Sequence, residues 1–175
     1  MLFKEFADID AFPLCLATHD VDEIVRAVQL VAPVFGGINL EDISAPRCFE
    51  IERRLKQTLD IPVMHDDQHG TATVVLAGLI NALKLKKLDK SSVSIVVNGA
   101  GAAGIAVAKL LIKYGVEDIT VSDSRGAIYS GRPDLTPVKQ EIAKLTNKRN
   151  IRGGLQDCLV GADVFIGVSV KDALN

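Results

Sequence analysis

The sequence predicts an α/β fold built on a doubly wound parallel sheet. Three observations carry that expectation. Short apolar, β-branched runs alternate along the chain with stretches of helical periodicity, as when crossover helices join parallel strands. One of these runs, Val93 to Val97, stops at the small-residue cluster Asn98-Gly99-Ala100-Gly101-Ala102-Ala103-Gly104, and a helical pattern from Ile105 to Tyr114 follows at once. Hydrophobic residues make up 48% of the 175, aromatics only 5%, and Trp is absent. That balance suits a core of small residues between helices and sheet.

The elements follow in order. Phe3, Phe6, Ile9 and Phe12 are spaced by three, which suits a helical stripe that Pro13 ends. Leu14 to Ala17 reads as a short strand. Asp20 is an N-cap candidate, with Asp22 and Glu23 in the first turn and Ile24, Val25, Val28, Leu30 and Val31 on a mostly buried helix. Pro33 closes it. Val34 to Leu40 is strand-like and ends at Glu41-Asp42. Ser44 is the next N-cap candidate, with Pro46 tolerated in the first turn. Cys48, Ile51, Leu55 and Leu59 mark the buried face of that helix, and Glu50, Glu52, Arg53, Arg54 and Lys56 its solvated face. Ile61 to Met64 is a short strand ending at His65-Asp66-Asp67. Gly70-Thr71 opens an apolar helix to about Leu85. The polar stretch Lys86 to Ser92 is the best boundary, dividing the chain into 1–87 and 88–175. After the glycine turn come a strand at Ile119 to Ser122, a helix from Thr136-Pro137 to about Thr146, a loop from Asn147 to Gly154 and a third strand from Asp163 to Gly167.

The glycine turn carries the clearest chemistry. Gly99 can take the positive φ of a tight turn. Gly101 presents no side chain to a pyrophosphate, and Gly104 lets the helix approach its strand. Amides of Ala100, Ala102 and Ala103 lie at the helix start, where the dipole favours an anion. Asp123 ends the next strand some 24 residues after Gly99, near the roughly 20 that a dinucleotide fingerprint expects, and can accept hydrogen bonds from ribose hydroxyls. A ligand-free turn shares the glycines. The strand before, the helix after and the acid at the next strand end favour a Rossmann-like dinucleotide-binding domain. Its negative charge disfavours a 2′-phosphate and so prefers NAD to NADP. Arg125 can reach such a phosphate, or can be a solvated loop residue.

Two acidic pairs, Glu41-Asp42 and Asp66-Asp67, fall at predicted strand ends, where open α/β sheets bind ligands. Oxygen ligands suit Mg²⁺ or Mn²⁺. Ordinary N-capping and solvation explain the same spacing equally well. His65 and His69 lack the Glu and the helix that a zinc motif needs, and read as loop hydrogen-bonders.

Composition narrows the setting. A net charge of −2 without a polybasic block removes the usual footprint of nucleic-acid or anionic-membrane binding. Cys15, Cys48 and Cys158 are odd in number and widely spaced, which fits core thiols in a reducing cytoplasm rather than a disulfide framework. No basic-then-apolar leader opens the chain, and Ala72 to Leu83 is too short to span a bilayer.

From Leu2 to Val170 the chain closely resembles the bacterial-type malic enzymes. The likeness rests on Phe35-Gly36-Gly37-Ile38-Asn39-Leu40-Glu41-Asp42-Ile43, on Pro62-Val63-Met64-His65-Asp66-Asp67-Gln68-His69-Gly70-Thr71-Ala72, and on Asn98 to Gly104, in that order. The resemblance implies oxidative decarboxylation of L-malate to pyruvate and CO₂ with NAD or NADP. It implies that Glu41, Asp42 and Asp67 bind Mn²⁺ or Mg²⁺ with Asp66 behind them, and so favours the metal for the acidic pairs. It also implies that residues 1–87 belong to the metal and substrate region, that 88–175 hold the start of the nucleotide domain, and that the protein is a homodimer or larger.

The departures are informative. The family's lysine base lies just upstream of the segment matching Leu2 to Phe6, and its tyrosine acid further upstream. Lys4, Tyr114 and Tyr129 do not match them, so no catalytic residue is assigned here. The expectation is an internal piece of such an enzyme, inactive alone. Two other readings stand beside it: a malolactic enzyme, which converts malate to lactate, and a non-catalytic NAD-binding module.

Overall fold

A computed structural model describes residues 2–174; Met1 and Asn175, at the ends of the first and last predicted stretches, lie outside the described residues. Two sheet-centred layers follow one another along the chain. The first is a two-stranded parallel sheet of β1 (Ile38–Leu40) and β2 (Val63–His65). It is flanked by helices α2 (Val21–Val31) and α3 (Arg47–Thr58), after a short α1 (Leu2–Ala7). Ile24 and Val25 of α2, Ile51 and Leu55 of α3, and Leu40 and Val63 of the strands form one core. Asp20 caps α2 as expected, accepting the Glu23 N–H at 2.9 Å.

The second layer is a four-stranded sheet in the order β5-β4-β3-β6. Strands β3 (Ser94–Asn98), β4 (Asp118–Asp123) and β6 (Val164–Gly167) run parallel, while β5 (Gly126–Ala127) pairs antiparallel with β4. The chain leaves β3 through α5 (Ala102–Tyr114) to reach β4 on one side. It returns through α6 (Pro137–Leu145) and α7 (Leu155–Leu159) to β6 on the other. The order therefore reverses at β3, and such a switch point opens a crevice beyond the carboxyl end of the strands. Every residue of β3 is buried, as a central strand covered on both faces requires.

Helix α4 (Asp66–Lys86) joins the layers. Ala72, Leu79 and Leu83 pack with Ile105, Ala108 and Leu111 of α5 in the largest core. It ends at Lys87, whose left-handed φ of 54° lets its N–H return to the Leu83 and Lys84 carbonyls.

Several expectations are corrected. The first helical stripe stops at Ala7, because Asp8 turns left-handed (φ 52°) and leaves Ile9 and Phe12 outside the helix. Leu14 to Ala17 pairs with no strand and is irregular. Only Ile38 to Leu40 of the run from Val34 forms a strand, since Ala32–Val34 is a 3₁₀ turn. Ser44 does not cap α3; the helix starts at Arg47, whose side chain instead donates to Ser44 Oγ at 3.1 Å. Helix α4 starts at Asp66, four residues before Gly70, which places Asp66, Asp67 and His69 in its first turn. Cys48 and Cys158 are core thiols, but Cys15 is exposed. The elements β5 and α7 were not foreseen: two residues and one helical turn are too short to impose a periodicity.

Candidate functional site

The glycine turn sits where β3 meets α5, at the switch point. Gly99 has φ 120°, a conformation that L side chains rarely adopt. Added Cβ atoms separate the roles of the glycines. At Gly99 one would stand 2.7 Å from the Val168 carbonyl oxygen, and at Gly104 it would stand 1.6 Å from the Gly99 carbonyl oxygen. At Gly101 it would meet nothing within 4 Å. Gly104 therefore lets helix and turn touch, whereas Gly101 leaves open space in front of the helix. The amides of Ala102, Ala103 and Gly104 start α5, where no preceding turn supplies acceptors. They can take an anion.

Asn98, which sequence reasoning passed over, braces this turn. Its Nδ2 donates to Ser169 Oγ at 2.9 Å, and its Oδ1 accepts from Ser122 Oγ at 3.0 Å. Its backbone carbonyl accepts the Val168 N–H, while the Gly99 N–H reaches the Ser122 carbonyl. One side chain thus ties β3 to the exits of β4 and β6. The signal was present as a buried polar residue at the end of an apolar strand, but its partners lie 24 and 71 residues away.

Asp123 ends β4 next to the turn. Its carboxylate is nearly enclosed, with Arg132 Nη2 at 2.9 and 2.8 Å and Lys139 Nζ at 2.5 Å. The Arg125 N–H adds a fourth contact at 3.0 Å. Burial pushes this carboxyl up, but the hydrogen bonds from Arg132 and Lys139 outweigh it and hold it below the usual range. Arg132 also donates to both Asp134 oxygens and to the Gly126 and Ala127 carbonyls. Its fork thus fastens the β4–β5 hairpin to the following loop. Arg125 is exposed and paired with Asp134 at 3.0 Å. Because the depressed Asp123 pKa stabilises the folded state only while the group is ionised, that contribution is complete above about pH 4. It is lost as pH falls through the lowered folded value. Acid unfolding followed by circular dichroism should therefore begin below about pH 4, and Asp123→Asn should flatten that limb.

The two acidic pairs lie at the carboxyl end of one sheet. Leu40 pairs with His65 in the parallel register, so Glu41-Asp42 and Asp66-Asp67 leave neighbouring strands side by side. Glu41 Oε1 accepts from Asn39 Nδ2 at 2.7 Å. Asp42 is left-handed, with φ 55°. The Asp66 carboxylate folds back over Gly70, so close that a Cβ there would stand 2.2 Å from its Oδ1. Asp67 Oδ2 lies 3.5 Å from Nε2 of His65, whose ring is wholly buried. Neither nitrogen of that ring, nor the buried Asn39 Oδ1, has a hydrogen-bond partner among the described residues. Among the described residues, no group of three or more His, Cys, Asp or Glu side chains is gathered to hold a metal ion. The register thus brings together the strand ends but not the three expected ligands.

Both histidine readings change. His65 ends β2 and His69 lies in α4, so neither is in a loop. His69 Nε2 is 2.6 Å from Glu52 Oε1. Glu52, expected on a solvated face, is only 7% exposed. Burial raises its pKa, and Lys56 and His69 more than reverse that. Burial likewise pushes the Cys48 thiol up, and the charges of Glu52 and Asp67 add to it, so these groups share one neighbourhood.

Comparison with known proteins places these features in context. Residues 68–174 match the family model "Malic enzyme, NAD binding domain", and residues 1–56 match "Malic enzyme, N-terminal domain". The chain is 61% identical over its whole length to a bifunctional malic/malolactic enzyme of Bacillus subtilis, covering 43% of that protein. It is 58% identical to an NAD-dependent malic enzyme of Geobacillus stearothermophilus, covering 37% of it. The crystal structure of an NAD-dependent malic enzyme from Thermotoga maritima superposes with a TM-score of 0.96 at 48% identity, over 99% of this chain and 47% of that one. The chain thus spans less than half the length of these relatives.

Proposed function

Since this chain belongs to the malic enzyme family, we propose that the whole protein oxidatively decarboxylates L-malate to pyruvate and CO₂ while reducing NAD or NADP. The observation that carries the reading is the parallel register that sets Glu41-Asp42 and Asp66-Asp67 side by side at the carboxyl end of one sheet, in a chain whose glycine turn occupies the switch point of a second sheet. Gly99 to Gly104 offer backbone amides to a pyrophosphate, and Asn98 holds that loop in place. Asp123 ends the strand on which a ribose would rest. Arg132 and Lys139 supply opposing positive charge there, which weakens the charge argument against a 2′-phosphate.

The donor chemistry at the acidic edge suits a hard divalent cation, because the carboxylates offer oxygen alone. The unpartnered His65 ring and Asn39 Oδ1 leave polar capacity beside them. Glu41, Asp42 and Asp67 would hold Mn²⁺ or Mg²⁺, with Asp66 behind them. When bound, such a cation supplies Lewis acidity that stabilises negative charge on the substrate's C2 oxygen as CO₂ leaves. Asn39 orients Glu41 through its 2.7 Å bond.

In the whole protein, L-malate and Mn²⁺ with NAD or with NADP should yield reduced nucleotide and pyruvate in equal amounts. Absence of both sinks the reading. Asp67→Asn should weaken Mn²⁺ binding by at least about 100-fold, beyond the range typical of outer-shell partners. Unchanged affinity removes Asp67 from the ligand set. The B. subtilis relative is named for both malic and malolactic activities, which supports malate-to-lactate conversion as a second reading. Lactate appearing in place of pyruvate would select it. We further propose a cytoplasmic homodimer or larger assembly. Exposed Leu2, Phe6 and Phe12 support self-association, and sedimentation at micromolar concentration tests it. No helix among the described residues is long and apolar enough to cross a membrane.

A further inference from the structure

Helix α3 carries a buried carboxylate that the chemistry above does not use. Charged side chains rarely become this buried without partners, and the partners of Glu52 come from two helices. Lys56 Nζ, one turn along α3, donates to Oε1 at 2.8 Å. His69 Nε2 lies 2.6 Å from the same oxygen, and Gln68 Nε2 donates to Oε2 at 3.4 Å. The last two residues follow Asp66-Asp67 directly. Glu52 therefore grips the first turn of α4 from the side.

That turn has reason to need a grip. No side chain caps α4 at His65, so its first amides lack a local acceptor. The charges of Asp66 and Asp67 suit the positive end of the helix, but charge alone does not fix the direction in which their side chains point. Helix α3, by contrast, is a firm base, because Cys48, Ile51 and Leu55 are fully buried along the same face. Residue 52 lies at the edge of that face, next to Ile51 and one turn after Cys48. Its side chain can therefore reach α4 without strain in either helix.

We infer that Glu52 is a positioning residue: by holding Gln68 and His69 against α3, it fixes the first turn of α4 and thereby the direction in which Asp67 projects from that turn. The inference rests on the metal reading proposed above. Glu52 does not join the ligand set, since both its oxygens are engaged. Partners that orient metal-binding side chains typically change affinity 10–100-fold when removed.

The test compares Glu52→Ala and Glu52→Gln with the unchanged full chain. Free Mn²⁺ is counted by electron paramagnetic resonance, and amide hydrogen exchange is read peptide by peptide without metal. Glu52→Ala should lower Mn²⁺ affinity about tenfold or more. It should also speed exchange at residues 70–73, the amides of α4 that bond back to its first turn, by about tenfold, while β3 and α5 keep their protection. Glu52→Gln keeps an acceptor oxygen and should recover most of both losses. Unchanged Mn²⁺ affinity in Glu52→Ala overturns the inference. So does exchange that stays constant at 70–73 or rises equally throughout the chain, as simple destabilisation would produce. If the unchanged chain binds no Mn²⁺, the metal reading falls, while the exchange data still decide whether Glu52 holds the turn.

Discussion

Gly104→Ala should lower the affinity of the whole protein for its nicotinamide nucleotide and take several degrees off its thermal stability together. The new methyl group would lie 1.6 Å from the Gly99 carbonyl oxygen and 2.8 Å from its carbon. Both are backbone atoms and have no rotamer to move into. Either α5 lifts away from the turn or the turn opens. Ile105, Val107, Ala108 and Leu111 are buried along α5, so lifting the helix disturbs the main core. Forced overpacking of this kind costs about 1–3 kcal/mol, or roughly 2–12 °C in a chain of this size. The amides at the helix start move with the helix, so NAD affinity should fall at least about tenfold, the equivalent of some 1.4 kcal/mol. Gly101→Ala separates the two effects. Its added Cβ meets no protein atom within 4 Å, so the melting temperature should hold while NAD binding is lost. Thermal melts with NADH fluorescence titrations read both quantities. A Gly104→Ala chain that melts and binds like the original would show that α5 and the turn are not in contact.

Arg132→Ala should be the most destabilising change near the end of β4. The guanidinium is almost enclosed, and its partners are two carboxylates and two backbone carbonyls. Removing one member of a buried ion pair typically costs 3–5 kcal/mol, because the partner charge is left without compensation. Lys139 still reaches Asp123, so the expected loss is near the lower end, about 3 kcal/mol. Arg132→Lys restores the charge but cannot serve Asp123, Asp134 and the carbonyls with one fork, and should recover less than half. Urea unfolding of the three chains measures the differences. A loss under about 1 kcal/mol in Arg132→Ala would mean that the cluster behaves as an exposed surface pair.

Arg132 also shows where sequence reasoning stopped. It lies between Gly131 and Pro133-Asp134, an ordinary turn by composition. Nothing local distinguishes it from Arg125, which received the attention and is exposed. Glu52 is a sharper case. Helical periodicity put it beside the buried face of α3 and its charge argued for solvent. Lys56 could have been read as an i,i+4 partner, but His69 could not, because it belongs to another helix. The early start of α4 has a similar origin: His65 and the two aspartates looked like a polar loop, and only pairing of β2 with β1 brings the strand to an end at His65.

By itself the sequence determined the strand–turn–helix unit from Ser94 to Tyr114, the positive φ at Gly99, the cap at Asp20, the alternation that makes the fold α/β and the family to which the chain belongs. Each depends on residues close together in the chain, or on motifs read in order, and local sterics and hydrophobic period are sufficient to fix the structural ones. Tertiary structure decided which charges meet. It enclosed Asp123 between Arg132 and Lys139, set Glu52 against His69, and used Asn98 to tie three strands together. Those outcomes depend on which side chains packing brings within about 3 Å across separate elements, and burial then makes each such pairing obligatory.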